Sequence, residues 1–161
     1  MEYSQRPRSG SSLRDLVAAV VTVLAVNALG ASPSVFIGSD TSWIDRPWLF
    51  PPTIVWTALF TLMGVALYLV GRRGLGRRDV KVALAAFAGQ FTLNLAWTPV
   101  FFGLQRPGLG LLIIGALWVA IVGTIAAFDR VDRRAAALLV PYLAWVSFAA
   151  LLNYAIYAGW S

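Results

Sequence analysis

Residues 109–128 read LGLLIIGALWVAIVGTIAAF, a run without one charged side chain. At 1.5 Å of rise per residue, about 20 apolar residues in a helix cross the hydrocarbon core of a bilayer. The run lies inside a charge-free gap from Pro107 to Phe128, and four more such gaps occur, at Leu16–Ser39, Pro47–Gly71, Val82–Gln105 and Ala135–Ser161. Over all 161 residues, 59% are hydrophobic and 12% charged. That is about half the charge of an average soluble domain, too little to coat one in water. The expected fold is an all-α integral membrane protein, a five-transmembrane-helix bundle, and a water-soluble enzyme is excluded. The spans are expected at 16–37, 50–70, 81–102, 109–128 and 135–158. Together they make a domain over 16–158, between a polar arm at 1–15, expected to be disordered at its start, and a short end at 159–161. A cleaved signal peptide is the weaker reading of the arm and first run, because no small-residue cleavage pattern follows and four further spans do. Pro33 is expected to end or kink the first span. The brief link at Arg106-Pro107-Gly108 forces the third and fourth spans into an antiparallel hairpin. No internal repeat is evident.

The chain has neither histidine nor cysteine. Disulfides, zinc or haem ligation by those residues, and the Ser-His-Asp and Cys-His routes to a nucleophile are therefore excluded. The net charge of +6 does not imply nucleic acid as a partner, because the arginines sit in loops between apolar runs. The arm and the second and fourth loops hold eleven basic residues against two, Arg46 and Arg106, on the other side. This asymmetry places the N-terminus in the cytoplasm and the C-terminus outside, in a multi-pass protein of the cell (inner) membrane. The spans lack charge, so an ion-coupled pump or proton relay is not expected.

Gln90, Asn94, Trp97 and Phe101 follow i, i+4, i+7, i+11 spacing and share a helix face. An amide in lipid is costly unless it faces a partner helix or a cavity, so this face should point inward. Trp56, Phe60, Met63 and Leu67 make a similar stripe in the second span, and Trp145, Ala149 and Leu152, followed by Asn153, one in the fifth. Such stripes suit a pocket for a flat, apolar, polycyclic ligand. They suit plain packing as well, and Gln90 and Asn94 suit a hydrogen bond between helices. Trp43, Trp48 and Trp160 fit interfacial belts. Ala116, Ala120 and Thr124, and likewise Gly123 and Ala127, suit close helix contact within or between chains.

Three segments carry a resemblance. They are Gln90 to Gly103 (QFTLNLAWTPVFFG), Pro141 to Tyr154 (PYLAWVSFAALLNY), and the stretch with Arg46-Pro47-Trp48, Pro51-Pro52, Trp56 to Phe60 and Met63-Gly64. In order and spacing over about 16–158, they resemble the TspO/MBR family of tryptophan-rich sensory proteins and translocator proteins. The resemblance implies a five-helix bundle, commonly a homodimer, with a pocket beneath the first loop for porphyrins, haem-like tetrapyrroles and synthetic isoquinoline carboxamides. It implies a ligand-binding wall of Trp56, Phe60, Asn94, Trp97, Phe101, Trp145, Ala149 and Leu152. The porphyrin or haem is a ligand there; no fixed cofactor and no metal site are implied. The expected function is a membrane-embedded sensor or transporter of tetrapyrroles. Two alternatives stand beside it. One is light-dependent porphyrin degradation, with Trp56 and Trp145 as the redox residues and no acid–base catalyst. The other is a regulatory or structural membrane partner. The chain departs from the family pattern in three places. Between Pro52 and Trp56 it is about one helical turn short, which keeps the same face buried. Trp43-Ile44 stands where a Trp-Tyr pair is common. No Lys or Arg follows Tyr154, so the sterol motif of mitochondrial members is incomplete, which makes sterol binding the more doubtful expectation and favours a prokaryotic member.

Overall fold

The computed structural model describes residues 9–37 and 53–159, with side chains over 13–32, 55–101 and 104–159. The first loop, with Trp43 and Trp48, and the C-terminal Trp160 lie outside the described residues, as do Pro51 and Pro52. Among the described residues every regular element is helical: α1 (Ser9–Ile37), α2 (Thr53–Gly71), α3 (Arg78–Thr98) continued by a π turn at Pro99–Gly103, α4 (Pro107–Asp129), α5 (Arg133–Leu138) and α6 (Val140–Tyr157). The last two form one interrupted span, which makes five. Leu13–Ser32, Pro107–Asp129 and Arg133–Tyr157 are long and apolar enough to cross a bilayer, and Val55–Gly71 is a shorter apolar helix. α3 is more polar, because its inward face carries Gln90 and Asn94.

Prolines explain the interruptions inside the third and fifth spans, while the first span starts earlier than expected. α1 begins upstream of Leu16, at Ser9, and continues through Pro33 to Ile37. A proline at 33 withholds the N–H that would reach the carbonyl of Leu29. The Ser32 hydroxyl donates to that carbonyl instead, at 2.7 Å. Pro99 removes the corresponding donor in α3, and the chain widens: Leu104 N–H bonds to the Pro99 carbonyl, five residues back, at 2.9 Å. In the fifth span Pro141 has no N–H for Ala137, and the helix breaks at Leu139. Pro107 opens α4, where a missing N–H costs nothing.

α1 and α2 pack antiparallel at close range. A Cβ on Gly64 would stand 2.7 Å from the Val23 Cα, and one on Gly30 would stand 2.6 Å from the Phe60 ring. Asn27 Nδ2 donates across the same seam to Thr61 Oγ1 at 3.2 Å. α4 lies against α3 on one side and α6 on the other, while α2 reaches both α3 and α5. Of the small-residue positions in α4, Thr124 makes a contact within the chain. It is fully buried, and its hydroxyl lies 3.1 Å from the Ala86 carbonyl of α3. Gly123 faces open space. The core holds an aromatic ladder. Trp56 lies 5.7 Å from Phe60, Phe60 is edge-on to Phe91, Phe91 stacks on Phe87 at 5.5 Å, and Phe87 on Phe128 at 6.1 Å. Such pairs each contribute about 0.5–1.5 kcal/mol beyond their buried area.

Asp132 fastens the loops at one end of this ladder. Its carboxylate caps α5 by accepting from Arg134 N–H at 2.9 Å, and Arg73, from the loop after α2, donates to it at 3.1 Å. The Arg134 side chain, and then Arg73, hold its pKa down to about 2. A carboxylate held below its ordinary value stabilises the fold above about pH 4 and loses that contribution as pH falls towards 2. We expect Asp132→Ala to cost about 1 kcal/mol or more in an unfolding titration, as cap losses do. Asp132→Asn keeps an N-cap residue and should cost less, while flattening the acid limb of the stability–pH curve. Equal costs for the two variants would show that the cap contributes nothing.

Candidate functional site

The polar residues of the inward faces pair across the bundle. Asn94 Nδ2, on α3, donates to the Tyr142 hydroxyl of α6 at 2.7 Å, and that hydroxyl donates to Gln90 Oε1 at 2.8 Å. All three are buried. The direction of the chain follows from proton count. A phenol that accepts from Asn94 has one proton left to give, so Gln90 must present its oxygen to Tyr142 and turn its NH2 away. That NH2 has no partner among the described residues.

A second polar bridge lies further along α3. Trp97 Nε1 donates to Asn153 Oδ1 at 3.0 Å, and Asn153 Nδ2 donates to the Pro107 carbonyl at 2.7 Å. One amide thus ties α3, α4 and α6 together. Phe101 is fully buried and stacks on Trp97 at 4.8 Å. Gly110 makes room for both, since a Cβ there would stand 3.0 Å from Asn153 Oδ1 and 3.3 Å from the Phe101 ring.

The eight residues singled out from sequence therefore divide. Asn94 and Trp97 use their polar atoms to hold α3 to α6, and Phe101 braces Trp97. Phe60 is buried in the aromatic ladder with Trp56, half-buried, at its end. On α6, Trp145, Ala149 and Leu152 share the inward face with Tyr142. Ala149 and Leu152 are buried at 8% exposure each, and the Trp145 ring lies 5.4 Å from Phe148. Trp145 Nε1 is different from the other indole nitrogens described here. It is shielded from solvent and has no hydrogen-bond partner among the described residues, whereas Trp97 has Asn153 and the exposed Trp118 has Ser147 at 2.8 Å. A buried N–H without an acceptor costs about 1–3 kcal/mol.

Sequence reasoning passed over Tyr142, Asn27 and Asp132. Tyr142 stands three residues before Trp145, so extending the α6 stripe by one turn would have found it. Asn27 and Asp132 carry no spacing signal, because their partners Thr61 and Arg73 lie on other elements.

The chain matches the family model described as TspO/MBR family over residues 16–158. It is 51% identical to the tryptophan-rich protein TspO of Chlorobaculum tepidum, over 71% of this chain and 72% of that one. It is 39% identical to the tryptophan-rich protein TspO of Archaeoglobus fulgidus, over 86% and 94%. With the translocator protein of Homo sapiens it shares 38% identity, over 74% and 72%.

Proposed function

The chain belongs to the TspO/MBR family of membrane proteins, and on that premise we propose that it binds porphyrins and similar flat tetrapyrroles inside the bundle, as a sensor or carrier. Trp145 carries this reading. Its indole donor is sequestered with no acceptor among the described residues, and a ligand that brings a carbonyl, a carboxylate or a ring nitrogen would satisfy it. The neighbouring stripe of Ala149 and Leu152 offers apolar surface, and the Trp56–Phe60 pair on α2 offers aromatic faces for a macrocycle to stack on. The two polar bridges from α3 to α6 serve this site by fixing the height and rotation of α6. The basic loops, by their charge, set the N-terminus in the cytoplasm.

A protoporphyrin titration of the purified protein in darkness tests the reading. Tryptophan fluorescence should be quenched saturably. Trp145→Phe should weaken binding by roughly 5- to 20-fold, the range expected for losing one hydrogen bond of about 1–1.5 kcal/mol and some ring area. Quenching that rises linearly without saturation, in wild type and variant alike, would refute it.

A further inference from the structure

We propose that the basic end of the bundle is a binding site for the phosphate headgroup of an anionic phospholipid, held by Arg72, Arg78, Lys81 and Arg130. The loop 72–77 and the loop after α4 are drawn together by the Arg73–Asp132 bond of 3.1 Å, so cations from the ends of α2, α3 and α4 share one rim. Three carboxylates at that end already face arginines, while Asp15 of α1 pairs with none among the described residues. Asp132 is shared by Arg73 and Arg134, Asp79 is held by Arg77 at 2.6 Å, and Asp129 lies 3.9 Å from Arg133. Among the described residues no carboxylate pairs with Arg72, Arg78, Lys81 or Arg130, and all four are exposed.

The position of these cations points to lipid rather than to a soluble anion. Val82, at 54% exposure, follows Lys81 directly, and the outward apolar face of α3 starts there. Leu75, at the tip of the 72–77 loop between Gly74 and Gly76, is 65% exposed. An exposed leucine flanked by arginines suits the boundary where acyl chains meet headgroups. A topological excess of positive charge would account for basic loops in general. It does not require that Asp79, Asp129 and Asp132 each face an arginine outside this set of four, nor that the four stand beside an apolar tip.

The test is lipid selectivity of the full-length protein reconstituted in phosphatidylcholine vesicles, read as the motion-restricted fraction of spin-labelled phosphatidylglycerol against spin-labelled phosphatidylcholine. We expect a preference of roughly fivefold for phosphatidylglycerol, the worth of about one fully engaged cation. Sodium chloride and sodium phosphate at equal ionic strength should lower it equally. Two variants, Arg72→Gln with Arg78→Gln, and Lys81→Gln with Arg130→Gln, should each remove at least half of it, so that a failure of one to assemble leaves the other to report. Equal fractions for the two lipids in wild type would overturn the proposal, as would a preference that survives both variants. So would a preference erased by phosphate but not by chloride, which would mean a free-anion site.

Discussion

Tyr142→Phe should lower the stability of the folded bundle by about 2–4 kcal/mol, a large effect for the loss of one oxygen atom. The variant keeps the ring and its packing, but removes the acceptor of Asn94 Nδ2 and the donor to Gln90 Oε1. Two amides are then left unsatisfied in the interior of a membrane protein, at about 1–3 kcal/mol each. Single hydrogen bonds between membrane helices average only about 0.6 kcal/mol when both partners can find substitutes. Here water is not a substitute, because Gln90 and Asn94 are 1% and 6% exposed, and the one partner left to each amide is the other, one turn away on α3. Reversible denaturation in mixed micelles measures the change. Tyr154→Phe is the control, since Tyr154 is 57% exposed and should cost close to nothing. If the two substitutions cost the same, the Gln90–Tyr142–Asn94 chain does not hold α3 to α6.

Ala149→Leu should weaken protoporphyrin binding by roughly 5- to 150-fold. Ala149 lies one turn beyond Trp145 on the same face of α6 and is 8% exposed. Three added carbons on a buried inward face must displace either the ligand or a neighbouring helix. Overpacking of this kind costs about 1–3 kcal/mol, which in an affinity is that fold-change. Ala144→Leu, on the exposed face of the same helix, controls for the change in composition and should bind as wild type does. Unchanged affinity in Ala149→Leu would exclude the α6 face from the site.

The five spans were legible because charge is absent from long stretches, and that pattern depends on nothing beyond the chain itself. The inward faces of α2, α3 and α6 were legible from spacing, since amides and tryptophans recur with a helical period. What spacing does not encode is the use made of each polar atom. Asn94 reads equally as pocket wall and as a bond between helices, and Trp97 as pocket wall; in the fold their polar groups are engaged by Tyr142 and Asn153, which lie 48 and 56 residues away. Pro33 reads as an end or a kink; α1 does not end there, and the adjacent Ser32 hydroxyl supplies a donor to the Leu29 carbonyl. Proline's effect there depends on the side chain beside it. The Arg73–Asp132 bond joins loops 59 residues apart, and no local pattern announces it.

On the proposed function, a ligand inside the bundle supplies an acceptor to Trp145 Nε1. The most direct measurement follows the indole N–H resonances of ¹⁵N-tryptophan-labelled protein through a protoporphyrin titration in darkness, with Trp145 assigned by its loss in Trp145→Phe. The Trp145 signal should shift saturably at one ligand per chain, while the Trp118 signal, on the exposed surface with its Ser147 bond, should stay in place. Saturable binding that moves Trp118 and leaves Trp145 unchanged would put the ligand on the outer surface and contradict the account.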